Sequence, residues 1–240
     1  MNLQRPNPWT LSQIVDHSGI QATLRYLRAI SEDRDMPRVS PIIIHGPSGS
    51  GKTTLLRALY NSLVYSTSFP KSQILLIEPA TDSNRFPDLQ RLDSDDCDTE
   101  NYLRVLLIDD IHKLFGDDSS SFWSVFNKMS RIDGLMVMTS RFHPADMFPE
   151  NDHLRSRLLS GLVLSLEPPD DNSRITIIEN MAMHRGFKVS SEVCAYLVRH
   201  KSRSLKELET IIELLDYRSL ERKKRITIPL IKEMESQDLI

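Results

Sequence analysis

The stretch Gly46-Pro47-Ser48-Gly49-Ser50-Gly51-Lys52-Thr53 decides the fold of this 240-residue chain. It matches G-x-x-x-x-G-K-[ST], a pattern in which glycines let backbone N–H groups surround a β-phosphate. Lys52 would place its charge on the β- and γ-phosphate oxygens, and the Thr53 hydroxyl would ligate Mg²⁺. An apolar run precedes the motif, and a helical pattern over 52–65, which includes Thr54, follows it. The stretch therefore predicts a strand, a phosphate loop and a helix that bind ATP or ADP with Mg²⁺.

Short apolar runs continue on both sides of the loop. Periodicity predicts a helix around 20–30, and a second helix over 119–129. Between and around the helices lie runs that predict buried strands, namely 41–45, 74–77, 105–108, 135–138 and 162–166. Strands that alternate with helices favour an α/β fold with a parallel sheet.

The third of these runs ends in two carboxylates. Val105-Leu106-Leu107-Ile108 is followed directly by Asp109 and Asp110. At the end of a buried strand near a phosphate loop, Asp109 is predicted to hold the Mg²⁺ shell. Asp110 is predicted to polarise the attacking water, either as a general base or by positioning it.

The chain changes character after Pro168 and Pro169. From there on the sequence shows helical segments, at about 173–185, 190–200, 205–222 and 228–236. The sequence therefore predicts a nucleotide-binding α/β domain over 1–168 and an all-helical domain over 169–240.

Composition limits the class of protein. The formal net charge is −3 and the sequence pI is about 6.2, which argues against a strongly basic nucleic-acid surface. Cys97 and Cys194 belong to no paired pattern and are interpreted as free thiols. Because no run reaches the roughly 18 apolar residues of a membrane span, we expect a cytoplasmic protein without a membrane partner.

Several motifs together resemble one family. Leu106 to Gly116, LLIDDIHKLFG, resembles the corresponding motif of the AAA+ proteins DnaA and Hda. The resemblance runs from about Trp9 to Met234. It rests further on 138–140 with Pro144, on 154–157, on 205–209 and on 225–229.

The resemblance implies both a fold and roles for particular residues. It implies an AAA+ P-loop NTPase with a parallel five-stranded sheet of order 5-1-4-3-2 and a C-terminal helical lid. Arg157 would be an arginine finger that reaches a neighbouring subunit's nucleotide, with Arg155 as the alternative. Lys206 would stand at the second sensor. Thr139 or Ser140 would be the first sensor.

Some residues around these motifs depart from the pattern or lie outside it. Arg203 could substitute for Lys206, which stands where the family usually has arginine. Arg141 stands where DnaA has an acidic residue, which places efficient hydrolysis in question. His45 and His112 flank the two nucleotide motifs and are interpreted as packing or solvent-facing residues.

The same resemblance suggests partners. Residues 78–103 carry seven aspartates and glutamates beyond Glu78 but only two arginines, so we expect no direct DNA binding. The chain ends after the lid, so we also expect no helix-turn-helix domain. The expected partner is another AAA+ protein, DnaA first, or a second copy of the chain. Residues 236–240 faintly resemble a sliding-clamp peptide. The expected function is regulation of replication initiation; alternatives are a helicase-loader or client-loading adaptor ATPase, and a nucleotide-bound scaffold with little hydrolysis.

Overall fold

The structure, a computed structural model, describes residues 8–32, 39–65, 70–78, 103–113, 120–147, 152–222 and 225–237. The chain divides into two compact units, Trp9–Glu167 and Pro168–Ile240. The sequence placed this division at residue 168. Residues 1–7, which the sequence assigned to the first domain, lie outside the described part of the chain.

The first unit contains a five-stranded parallel sheet. Its strands are β1 (Ile42–His45), β2 (Ile74–Ile77), β3 (Val105–Ile108), β4 (Leu135–Ser140) and β5 (Leu162–Ser165). They are arranged in the order β2-β3-β4-β1-β5. This is the predicted order 5-1-4-3-2 counted from the opposite edge, so the predicted fold is confirmed.

Helices cover both faces of the sheet, which is why the strands are continuous apolar runs. Alternate residues of β1 join different cores. Ile42 and Ile44 belong to a core with α1 (Gln21–Glu32) and α2 (Lys52–Tyr65). Ile43 belongs to a second core, on the opposite face of the sheet.

The second core lies under three helices of the first unit. They are α3 (Ser120–Arg131), α4 (Pro144–Met147) and α5 (Asp152–Leu159). Phe122 and Phe126 of α3 pack there with Leu154 and Leu158 of α5. Short 3-10 turns complete the unit at Leu11–Gln13, Lys71–Gln73 and Ile111–Lys113.

The second unit is helical. It contains α6 (Asp171–His184), α7 (Ser191–His200), α8 (Leu205–Arg222) and α9 (Ile228–Glu235). The side chains of Asp170, Ser190 and Thr227 cap α6, α7 and α9 by accepting backbone N–H groups. Ile178, Leu197, Leu208, Ile212 and Ile231 are among the buried residues of its separate core.

The boundaries differ from the sequence prediction by a few residues. β4 extends to Ser140, two residues past the predicted end, because Thr139 and Ser140 continue the pairing with β1. α6 begins at Asp171 rather than 173, because Asp170 supplies the cap. Within the described residues no helix is long and apolar enough to cross a bilayer.

Candidate functional site

The predicted nucleotide motifs meet at one edge of the sheet. The phosphate loop (residues 46–53) follows β1, the two aspartates follow β3, and β4 ends between them at Ser140. The backbone N–H of Gly46 donates to the carbonyl of Ser140 at 3.2 Å. Since parallel strands bring their carboxyl ends to the same edge, the sheet order alone places these segments side by side.

Glycines shape the phosphate loop in two ways. A Cβ on Gly46 would lie 2.3 Å from the carbonyl oxygen of Leu166, so the backbones approach too closely for a side chain. Gly49 has open space around it but a φ of +80°, a region that side-chain-bearing residues rarely adopt. The predicted loop residues Pro47, Ser48 and Gly49 are exposed, whereas Ser50 is buried.

Lys52 is folded against this loop. Its ammonium donates to the backbone carbonyls of Gly46 at 2.7 Å and Pro47 at 2.8 Å, and the residue is only 6% exposed. Burial lowers the pKa of Lys52, and the charges of Asp110 and Asp109 oppose that change. The lysine therefore lies in the loop, close to the acidic end of β3. The neighbouring Thr54 is exposed.

Asp109 joins three segments of chain. Its Oδ2 accepts from the Thr53 hydroxyl at 2.8 Å, and its Oδ1 accepts from the Thr139 hydroxyl at 2.5 Å. The aspartate is 7% exposed and Thr139 is fully buried. The arrangement gathers one carboxylate and two hydroxyls, which are the oxygen ligands that Mg²⁺ accepts.

Asp110 has a different environment. Its φ is +46°, in the left-handed region, which is uncommon for residues other than glycine. Its backbone N–H donates to the Thr139 hydroxyl at 2.8 Å. Its Oδ2 pairs with the ammonium of Lys113 at 2.5 Å. Lys113 was not among the residues predicted from the sequence; the signal was its position three residues after Asp110.

The structure separates the two first-sensor alternatives by their contacts. Thr139 contacts both Asp109 and the backbone of Asp110. The Ser140 hydroxyl donates to the sulfur of Met147 at 2.8 Å and accepts from the backbone N–H of Phe142 at 3.0 Å. Of the two residues, Thr139 is the one whose hydroxyl contacts the aspartates after β3.

The loop after β4 brings further groups to this edge. Burial is the main cause of the lowered pKa values of Lys52 and His112, and the charge of the exposed Arg141 makes a smaller contribution in the same direction. The His112 ring packs edge-on against Phe142, with centroids 5.4 Å apart. His45 packs edge-on against His143 at 5.0 Å, and burial lowers the pKa of His45. Both histidines that flank the motifs thus lie in packing contacts.

The two arginine-finger alternatives lie on α5. Arg155 is partly buried and forms an ion pair with Asp152. Arg157 is exposed and makes no ion pair among the described residues. It lines a cleft of about 450 Å³ with Trp123, Asn127 and His153.

The second-sensor candidates lie in the second unit. Lys206 is exposed in the first turn of α8. Arg203 is held by Asp171, with its guanidinium 2.6 Å from Oδ2, and this contact raises the pKa of Arg203. The carbonyl of Arg203 also accepts from Arg174 at 3.1 Å. Arg203 is therefore engaged within its own unit.

Other predicted features are peripheral or outside the described residues. The acidic stretch 93–100, Arg85, Arg91 and Cys97 lie outside the part of the chain that the structure describes. Cys194 is a buried free thiol. Among the described residues no group of three or more His, Cys, Asp or Glu side chains could hold a metal ion.

Comparison with known proteins agrees with this arrangement. Residues 7–165 match the model of the bacterial DnaA ATPase domain, and residues 171–234 match that of the Hda lid domain. The chromosomal replication initiator DnaA of Magnetococcus marinus is 30% identical over 199 residues, which cover 81% of this chain. The match spans only 44% of that relative's length.

Solved structures share the fold. Domain III of Thermotoga maritima DnaA has a TM-score of 0.77 at 24% identity, covering 94% of this chain and 95% of that chain. AMPPCP-bound DnaA from Aquifex aeolicus has a TM-score of 0.67 at 23% identity, covering 92% and 69%. With its phosphate loop, its paired aspartates and these family matches, the chain belongs to the DnaA/Hda-type AAA+ family.

Proposed function

We propose that this chain binds ATP or ADP with Mg²⁺ and regulates the initiation of DNA replication through nucleotide-dependent contacts with another AAA+ protein. The observation that carries the nucleotide proposal is the bonding of Asp109 to both Thr53 and Thr139 beside the phosphate loop. Three segments distant in sequence converge there on one carboxylate. This is the composition expected at a nucleotide-Mg²⁺ site.

The residues present fit a nucleotide phosphate chain. The backbone N–H groups of the loop would surround the phosphates, and α2 begins at Lys52 with its positive end towards them. The lysine ammonium is already held at the loop carbonyls of Gly46 and Pro47. The DnaA of Aquifex aeolicus, which shares this fold, has been solved with AMPPCP. This supports the same class of ligand here.

The residues present also fit Mg²⁺. Thr53 and Asp109 would hold it, since a hydroxyl and a carboxylate oxygen already lie within hydrogen-bond distance. The metal would neutralise charge on the phosphate oxygens. We assign to Asp110, the neighbouring carboxylate, the acceptance of a proton from the attacking water, and to Lys52 the balance of phosphate charge.

Arg157 supports contact with a second AAA+ protein. A guanidinium binds phosphate in a bidentate manner and stays charged, which suits a residue that completes a neighbour's site. Arg157 is exposed beside Trp123, and Arg and Trp are the residue types that dominate interface energies. We propose DnaA as the first partner and a second copy of the chain as the alternative. Lys206 on α8 is proposed as a nucleotide contact from the lid.

The test is a pull-down of the purified chain against DnaA, the sliding clamp and the replicative helicase. It is carried out with ATP, with ADP and without nucleotide. Capture of DnaA that depends on nucleotide is the expected result. Capture of helicase alone would replace the regulatory proposal with a loader. Capture of none by a folded, nucleotide-loaded chain would overturn DnaA as the partner.

A further inference from the structure

Lys113 contacts the carboxylate to which we assign water activation. Its ammonium lies 2.5 Å from Oδ2 of Asp110, and the side chains are 43% and 17% exposed. The 3-10 turn Ile111–Lys113 fixes this pairing, because the backbone N–H of Lys113 also donates to the carbonyl of Asp110 at 2.8 Å. The pair is thus held by a backbone bond and a side-chain bond together.

The backbone of Asp110 is fixed from the other side as well. Its N–H donates to the buried hydroxyl of Thr139, and the surrounding contacts hold its main chain at a φ of +46°, which residues other than glycine rarely adopt. Only rotation of the side chain can redirect the carboxylate. The ion pair with Lys113 opposes that rotation. Asp109 differs, because hydroxyl groups rather than a cation bind both of its oxygens.

We propose that Lys113 is a positioning residue that restrains the Asp110 carboxylate and thereby keeps ATP turnover slow. This inference rests on the proposed nucleotide function. In the step concerned, the water oxygen attacks the γ-phosphorus and the bond from that phosphorus to the β–γ bridging oxygen breaks. The bond's electron pair leaves with ADP. Asp110 accepts a proton from the water and then releases it to solvent, so the products are ADP, phosphate and a proton.

The contact geometry determines the direction of the restraint. The ammonium of Lys113 occupies one of the two Asp110 carboxylate oxygens and holds the side chain in one orientation. Because Lys113 is partly exposed, water screens the pair, and the expected gain on removing the ammonium is modest, about two- to five-fold in turnover.

The experiment compares steady-state ATP hydrolysis by the full chain and by Lys113→Met. Methionine keeps the unbranched stem and removes the charge. We expect kcat to rise about two- to five-fold with KM unchanged. Lys113→Arg, which keeps the positive charge, should keep the slow rate of the wild type. Lys71→Met is the matched control. Lys71 is exposed and precedes β2, so it lies at the amino-terminal end of the strands, whereas the nucleotide motifs lie at the carboxyl-terminal end. Asp110→Asn should remove the gain when combined with Lys113→Met.

Separate titrations with ATP and ADP distinguish a failure of the proposed nucleotide binding from a failure of the proposed restraint by Lys113. Failure of the folded wild-type chain to bind either nucleotide would overturn the proposed function and this inference together. Intact binding with Lys113→Met at or below the wild-type kcat would overturn the restraint alone. A gain shared equally by Lys71→Met would do the same, since it would reflect a change of net charge.

Discussion

The hydroxyl of Thr139 donates a 2.5 Å hydrogen bond to Oδ1 of Asp109 and accepts a 2.8 Å hydrogen bond from the backbone N–H of Asp110. One fully buried hydroxyl therefore fixes both aspartates at the end of β3. It also ties β4 to the turn that carries the acidic residues.

Thr139→Val keeps the shape of the side chain and removes this hydroxyl. The substitution leaves a backbone N–H and a carboxylate oxygen without their partner, which costs about 1–3 kcal/mol in the free energy of unfolding. Urea denaturation measures the loss. Thr139→Ser, which keeps the hydroxyl, should be milder. Equal losses in both variants would mean that the methyl group, rather than the hydrogen bonds, carries the stability.

Lys52→Ala is expected to abolish measurable ATP binding while the chain stays folded. Charge-assisted hydrogen bonds are worth about 1.5–3 kcal/mol each, so losing two phosphate contacts weakens affinity by at least about 100-fold. Isothermal titration with ATP and Mg²⁺ measures this. Lys71→Ala serves as the control. If Lys52→Ala bound ATP with the affinity of the wild type, Lys52 would not be a phosphate contact.

Gly46→Ala and Gly49→Ala should differ although both lie in the phosphate loop. A Cβ at residue 46 would lie 2.3 Å from the carbonyl oxygen of Leu166, whereas a Cβ at residue 49 meets nothing within 4 Å. Gly49→Ala adds only the cost of a positive φ, about 1–2 kcal/mol. Thermal unfolding should therefore show the larger loss for Gly46→Ala. The reverse order would contradict the packing of the loop against Leu166.

Arg157→Ala should leave nucleotide binding intact and remove hydrolysis that depends on assembly. Where arginine fingers have been measured, they contribute about 10³- to 10⁵-fold in rate. Arg155→Ala is the matched control on the same helix, because Arg155 is engaged with Asp152. Hydrolysis is compared at low and high protein concentration, with and without DnaA. An equal loss of nucleotide binding in Arg157→Ala would contradict the finger assignment.

Cys194 should resist thiol reagents in the folded chain. Burial raises the pKa of its thiol to about 12, so at pH 8 the reactive thiolate is nearly absent. A thiol titration with Ellman's reagent should count Cys194 only after denaturant is added. Cys97→Ser isolates the signal of Cys194. Rapid labelling of Cys194 in that folded variant would show that the core of the second unit opens readily.

The sequence predicted β2 and β3 to the residue, since short apolar runs between polar segments define buried strands well. It did not separate Thr139 from Ser140. The side chains of neighbouring strand residues point to opposite faces of the sheet. Only the hydrogen bonds to Asp109 and Asp110 show that Thr139 is the residue facing the aspartates. The phosphate loop was visible because its backbone demands glycine at fixed positions.

Lys113 and Arg203 show what the sequence leaves open. A lysine three residues after Asp110 is usually a solvated surface charge, and only coordinates show it bound to the carboxylate. The sequence offered Arg203 as a substitute phosphate contact. Its partner Asp171 is 32 residues away and becomes a neighbour only when α6 begins beside the turn before α8.

The helical unit buries its own apolar residues, from Ile178 to Met234, and caps three of its helices with its own side chains. A unit that caps its own helix N-termini and buries its own apolar core can open and close as one cooperative segment. Amide hydrogens in the buried turns of α7 therefore report the opening of the helical unit itself.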